Sequence, residues 1–167
     1  MIVRPLAAAD QAWKLTTLER GWGATSVARL GELLDAAPLP GFVAVDGDVG
    51  VGLLTYVERS DGVEVATIQS LTPGRGVGRA LMDATLERGV AEGASRLWLI
   101  TTNDNVRAIA FYRRWGMDLV RVIRDGVDAS RRVKPSIPHI GSTGIPLRHE
   151  LEFQRAVPRR PPTTIWA

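Results

Sequence analysis

Hydrophobic positions alternate with two distinct periods along the chain. Ile2-Val-Arg4 reads as a short strand that Pro5 ends. From Ala8 to Arg20, Ala12, Leu15 and Leu18 recur at helical spacing, and Gly21-Trp22-Gly23 breaks that helix. Thr25 or Ser26 can cap a second helix through Leu30, Leu33 and Leu34, stopped at Pro38-Leu-Pro-Gly41. Phe42 to Val45, the turn Asp46-Gly-Asp48, and Val49 to Glu58 form a hairpin. Ser60-Asp-Gly62 turns the chain into a third antiparallel strand, Val63 to Leu71. Val77 to Ala91 carries two apolar stripes, as suits a helix laid on a sheet. Arg96 to Thr102 is too apolar to have a wet face, which predicts an inner parallel strand. Asn103-Asp-Asn105 opens another helix that Gly116 stops. Met117 to Ile123 and Ile145 to Val157 read as the last strands, with a short helical possibility at Asp128 to Arg132 between them.

This order predicts an α/β domain with a mixed, mostly antiparallel central sheet of about seven strands, a β-α-β crossover and flanking helices. Residues 1–157 are expected to form this single domain, and residues 158–167, opening Pro158-Arg-Arg-Pro-Pro162, a flexible tail.

Composition narrows the chemistry. The 167 residues are 45% hydrophobic and 23% charged, ordinary for one globular domain. The absence of cysteine excludes disulfides, thiolate metal sites and a cysteine nucleophile. His139 and His149 lack metal-ligand spacing, so no metal is expected. No apolar run reaches membrane-spanning length, and MIVRPLAAAD lacks the basic-then-apolar pattern of a signal peptide, so a cytoplasmic protein is expected. A net charge of +3 is too small to point to nucleic acid.

The stretch Thr72-Pro-Gly-Arg-Gly-Val-Gly-Arg-Ala-Leu81 places three glycines between a strand and a helix. Such a turn leaves backbone amides uncovered at a helix N-terminus, where an anion is favoured. Arg79, in the first turn, opposes the helix dipole unless an anion lies before it. A turn that merely allows a tight connection fits these residues as well. A Walker A loop requires Lys followed by Ser or Thr, and this loop has Arg79-Ala80; a dinucleotide fingerprint requires Gly or Ala where Arg79 stands.

The loop Gly74-Arg-Gly-Val-Gly-Arg-Ala-Leu81, after the strand Glu64 to Leu71, resembles the acyl-CoA pyrophosphate loop of the GNAT superfamily of N-acyltransferases. Asn105-Val-Arg-Ala108 followed by Phe111-Tyr112-Arg-Arg-Trp-Gly116 resembles that family's second motif. The resemblance runs from Ile2 to about Val157, with two departures. Pro73 stands where members usually carry Gln or Arg, and Met117 where they carry Phe. Further likeness to a less characterised bacterial branch lies in Leu39 to Ala44, Thr101-Thr-Asn-Asp-Asn105 and Lys134-Pro-Ser-Ile-Pro138.

The resemblance implies acetyl transfer from acetyl-CoA to a primary amine of a small molecule or protein, in a monomer or homodimer that binds neither nucleic acid nor membrane. A catalytically inactive acyl-CoA-binding module is the alternative. Implied cofactor contacts are Ile68, Ser70, Leu71, Gly74, Arg75, Gly76, Val77, Gly78, Arg79, Asn105, Ala108 and Tyr112. Tyr112, two helical turns after Asn105, is the implied acid, although helix periodicity alone favours a core tyrosine packed with Ala108 and Trp115. Glu64 is the candidate base, or a solvent-facing strand residue. Trp22, Arg131 and Lys134 are candidate substrate contacts; Trp22 also suits a helix-end core position, and the two cations a solvated face. Without a cysteine to carry an acyl group, direct attack in a ternary complex is expected.

Overall fold

The computed structural model describes residues 1–159; most of the expected C-terminal tail lies outside them. Among the described residues nine strands, four α-helices and a 3-10 turn at Ala8–Asp10 follow in order, beginning with β1 (Ile2–Pro5), α1 (Gln11–Trp22), β2 (Ser26–Arg29) and β3 (Glu32–Asp35). Next come β4 (Gly41–Asp46), β5 (Val49–Arg59), β6 (Gly62–Ser70), α2 (Val77–Ala91) and β7 (Arg96–Thr102). The chain continues through α3 (Val106–Trp115), β8 (Asp118–Ile123), α4 (Gly126–Val133) and β9 (Glu150–Ala156). Seven strands form one sheet in the order β1-β4-β5-β6-β7-β9-β8. Every neighbouring pair is antiparallel except β6 and β7, which the crossover through α2 makes parallel.

Strand alternation sends successive side chains to opposite faces, and β5 shows the result. Leu54 enters the main core with Val65, Leu81, Met82, Leu99 and Phe153. Leu53 joins a smaller cluster with Leu18 and Ala36, against which Trp13, Trp22 and Leu39 pack. The sheet is thus covered on both faces, by α2 and α3 on one and α1 on the other.

One expected element is overturned. Residues from Thr25 to Leu34 form the antiparallel hairpin β2-β3, with Val27 opposite Leu34 and Ala28 opposite Leu33, rather than a helix. Leu30 and Gly31 both sit at positive φ, 54° and 73°, the pattern of a two-residue hairpin turn whose twist matches its strands. Leu30 adopts this conformation because its amide donates to Glu150 Oε2 at 2.8 Å, while the Gly31 amide donates to Ser130 Oγ at 3.2 Å. The helix before it also continues through Gly21 and Trp22, ending only where Gly23 turns left-handed. Residues 145–149, read as strand, are loop: Leu147 donates to His139 O instead of joining the sheet.

Candidate active site

The parallel pair β6-β7 holds together over only three residue pairs, Val63, Glu64 and Val65 against Leu97, Trp98 and Leu99. Beyond them β6 stays with β5 as far as Ser70, and β7 stays with β9 as far as Thr102. At the parting point β6 bulges, because Tyr56 faces Val65 and Thr55 faces Thr67, leaving Ala66 without a partner. A bulge bends its strand and re-aims it, and here it steers β6 away from β7. The opening is a cavity of about 290 Å³ with Ala66 on one wall, Ile100 and Thr101 on the other, and Asn105 beside them.

From the open end of β6 the chain runs through Leu71 into the glycine loop. Gly74 and Gly76 have φ of 83° and 76°, and a Cβ on either would touch nothing within 4 Å. Their requirement is therefore conformational, a backbone that L side chains adopt only with strain. Gly78 serves differently, since a Cβ there would lie 3.3 Å from the Phe111 ring, so it lets α2 approach α3. Gly76 caps α2 with no side chain, and the first helical bond is Ala80 N–H to Gly76 O at 3.0 Å. The amides of Val77, Gly78 and Arg79 thus remain first-turn donors without a helical acceptor. Beside them the Thr72 hydroxyl oxygen is buried with no partner. Arg75 and Arg79 hold only solvent-facing ion pairs, to Asp46 at 3.2 Å and Asp83 at 3.6 Å.

Asn105 caps α3 by accepting from the Ala108 amide at 3.4 Å, and its Nδ2 lies 3.4 Å from Thr101 Oγ1. Tyr112 lies two turns on, its ring between those of Phe111 and Phe153 at 5.4 and 5.9 Å. Desolvation alone pushes its phenol above the ordinary value. Ile68 and Ser70 are half-buried, and Leu71 is exposed at the mouth of the loop.

Four ionisable residues line the cavity: Arg29, Glu64, Lys134 and Glu150. Glu64 is buried and accepts three guanidinium bonds, from Arg29 Nε at 2.9 Å, Arg29 Nη2 at 3.2 Å and Arg59 Nε at 2.6 Å. Glu150, also buried, accepts from Ser130 Oγ at 2.5 Å besides the Leu30 amide. Lys134 donates to the carbonyls of Trp22 at 2.9 Å and Ser26 at 2.7 Å, and burial pulls its ammonium below the ordinary value.

Trp22 lines the same cavity. Arg131 does not; it holds the loop behind the wall, donating to the carbonyls of Ile137, Pro138 and Leu147. Asn103 ties that loop to the end of β7, accepting from the amides of Arg148 and His149 at 2.9 Å and donating to Pro146 O. Arg29, Asn103, Ser130 and Glu150 are site-forming residues that the sequence reading did not single out. Gly31 inside an assumed helix was the signal for the hairpin that carries Arg29; no pattern in the sequence marks Glu150.

The sequence matches the model of the Acetyltransferase (GNAT) family over residues 10–117, and the chain belongs to that family. It is 34% identical over 138 residues to the uncharacterized protein YdhI of Bacillus subtilis (strain 168), covering 81% of this chain and 86% of that one. It is 38% identical over 81 residues to streptothricin acetyltransferase of Streptomyces lavendulae, 45% of this chain and 42% of that protein. Among solved structures, a GNAT family acetyltransferase from Elizabethkingia anophelis with acetyl-CoA bound superimposes with a TM-score of 0.68 at 12% identity. That match covers 93% of this chain and 97% of the other, and shows a shared fold.

Proposed function

We propose that this acetyltransferase moves an acetyl group from acetyl-CoA to a primary amine by direct attack with both substrates bound. The observation that carries this reading is one continuous arrangement: the parting of β6 from β7 at Ala66 leads along β6 into a loop that offers left-handed glycines and uncapped amides.

These groups fit a diphosphate. The amides of Val77, Gly78 and Arg79 would donate to it, with Arg75 and Arg79 adding charge from solvent. Ile68, Ser70 and Leu71 would guide the pantetheine arm as an added strand on the freed side of β6, with Asn105 and Ala108 facing it from α3. Bound there, acetyl-CoA supplies a thioester carbonyl open to attack. Attack by the amine nitrogen forms the amide C–N bond and breaks the C–S bond. An acceptor arriving as an ammonium loses two protons, one before attack and one that ends on sulfur.

Tyr112 is the proposed donor of the second proton, from its place two turns after Asn105; burial keeps its hydroxyl protonated at neutral pH and also makes it a weaker acid than a solvated phenol. Glu64 stands on the cavity wall with three of about four carboxylate lone-pair sites taken. The remaining site can receive the first proton through a water. Trp22 and Lys134 belong to the acceptor side of the cavity, and Arg131 supports it from behind.

A thermal-shift titration with acetyl-CoA, followed by thiol release across an amine panel, tests the reading. A rise in melting temperature and thiol release with at least one amine are expected. No shift at millimolar acetyl-CoA would remove the proposal, and a shift without thiol release would leave an acyl-CoA-binding module.

A further inference from the structure

Charges neutralised inside a protein select ligands weakly, whereas those without a counter-charge select strongly. The four ionisable residues of the cavity divide on this criterion. Arg29 is neutralised by Glu64 and Glu32, and Glu64 by Arg29 and Arg59. Glu150 and Lys134 join no ion pair among the described residues.

Glu150 is 1% exposed, and its two hydrogen-bond donors, the Leu30 amide and the Ser130 hydroxyl, are both neutral. A carboxylate offers about four lone-pair sites, so two remain. Lys134 donates two of its three N–H bonds to the neutral carbonyls of Trp22 and Ser26, leaving one. The cavity lining therefore carries one unpaired negative and one unpaired positive charge, along with apolar surface from Trp22, Ile137 and Leu147.

Resting on the acetyl-transfer reading, we propose that the acceptor is a small zwitterion of the amino-acid class. Glu150 receives its ammonium and Lys134 its carboxylate. The cavity of about 290 Å³ must also hold the reacting end of the pantetheine arm, which leaves room only for a small acceptor. Both groups are specificity residues for the acceptor and lie apart from the glycine loop.

The test offers the wild-type protein a panel of amino acids, each beside its own carboxamide and its decarboxylated amine. Thiol release gives kcat/KM, and calorimetry on the protein saturated with CoA gives acceptor binding independently of turnover. The acid is expected to exceed its carboxamide by about 30-fold or more, the loss typical when one partner of a desolvated charge pair is removed. Lys134→Met should abolish that ratio while leaving acetyl-CoA affinity unchanged. Glu150→Gln, which keeps an acceptor for the Leu30 amide, should raise KM for every amine and spare the ratio. Equal use of acid and carboxamide by the wild type, or a ratio that survives Lys134→Met, would overturn the proposal. Should a variant fail to fold, the wild-type panel still decides. Selective binding of the acid without thiol release would support this inference and defeat the catalytic reading; turnover restricted to polycationic or neutral amines would do the reverse.

Discussion

Arg29 on β2 and Glu64 on β6 meet through two hydrogen bonds, Nε to Oε1 at 2.9 Å and Nη2 to Oε2 at 3.2 Å. The contact fastens a hairpin that lies outside the main sheet to the wall of the cavity. Both side chains are buried, and Glu64 also holds the half-exposed Arg59.

Replacing Glu64 by Gln should therefore destabilise the fold before it informs on catalysis. Removing one member of a buried pair costs about 3–5 kcal/mol when the other charge is left uncompensated; Arg29 keeps Glu32 and Arg59 is partly exposed, so a loss below that range is expected. Denaturant unfolding should show this loss. Arg29→Met combined with Glu64→Leu should recover most of it, since apolar groups of similar volume need no counter-charge. A double variant as unstable as the single one would show that the ion pair is not the source.

The glycine loop yields a cleaner separation of stability from binding. An alanine at Gly76 must hold φ near 76° or shift the loop, and the left-handed region costs about 1–2 kcal/mol. Gly76→Ala should weaken acetyl-CoA binding by about tenfold, equivalent to roughly 1.4 kcal/mol, as measured by calorimetry. Gly93→Ala is the control, because Gly93 has φ of 68° just past the C-terminus of α2, at the far end of that helix from the loop, and a Cβ there would touch nothing within 4 Å. It should bear a similar strain with affinity intact. Equal loss of affinity in both would assign the effect to global destabilisation.

The elements that the sequence revealed are those whose local signals agree with their tertiary role. α2 and β7 have their expected ends, Val77–Ala91 and Arg96–Thr102, because glycine turns and unbroken apolar stripes bound them. Asn105 and Gly116 mark α3 as cap and stop, as read. The β2-β3 hairpin was hidden because its turn depends on Glu150 and Ser130, more than ninety residues away, holding the amides of Leu30 and Gly31. Leucines at 30, 33 and 34 mimic a helical stripe when those distant partners are unknown. The charge balance of the cavity was hidden for the same reason. Glu64, Arg131 and Lys134 could be named as residues, but only the fold shows which charges already have partners.

Asn103 offers a test of whether the acceptor wall must be rigid. Its side chain accepts from two loop amides and donates to Pro146 O, and alanine would remove all three bonds. Since the site is solvent-exposed in part, a stability loss of about 1–3 kcal/mol is expected. Steady-state kinetics of Asn103→Ala should show a raised KM for the amine and an unchanged KM for acetyl-CoA. A matching rise in both would mean that the loop supports the whole cleft rather than the acceptor side.

Tyr112 is where chemistry and stability can be read from one substitution. Its hydroxyl makes no hydrogen bond among the described residues, and desolvation alone raises its pKa. Tyr112→Phe therefore abandons no partner and should leave the melting temperature at neutral pH nearly unchanged. If the hydroxyl protonates the departing sulfur, kcat should fall by about 10²-fold with acetyl-CoA affinity unaltered. The raised pKa also fixes the sign of a pH effect. In the unfolded chain the phenol ionises from about pH 10, whereas the buried group resists ionisation. Its contribution is complete below that value and declines as pH rises above it, because the unfolded state then binds fewer protons than the native one. Alkaline melts should show this decline in the wild type and a smaller one in Tyr112→Phe. A variant with full kcat would remove Tyr112 as the acid, and one with an identical alkaline decline would show that its hydroxyl is not held neutral in the native protein.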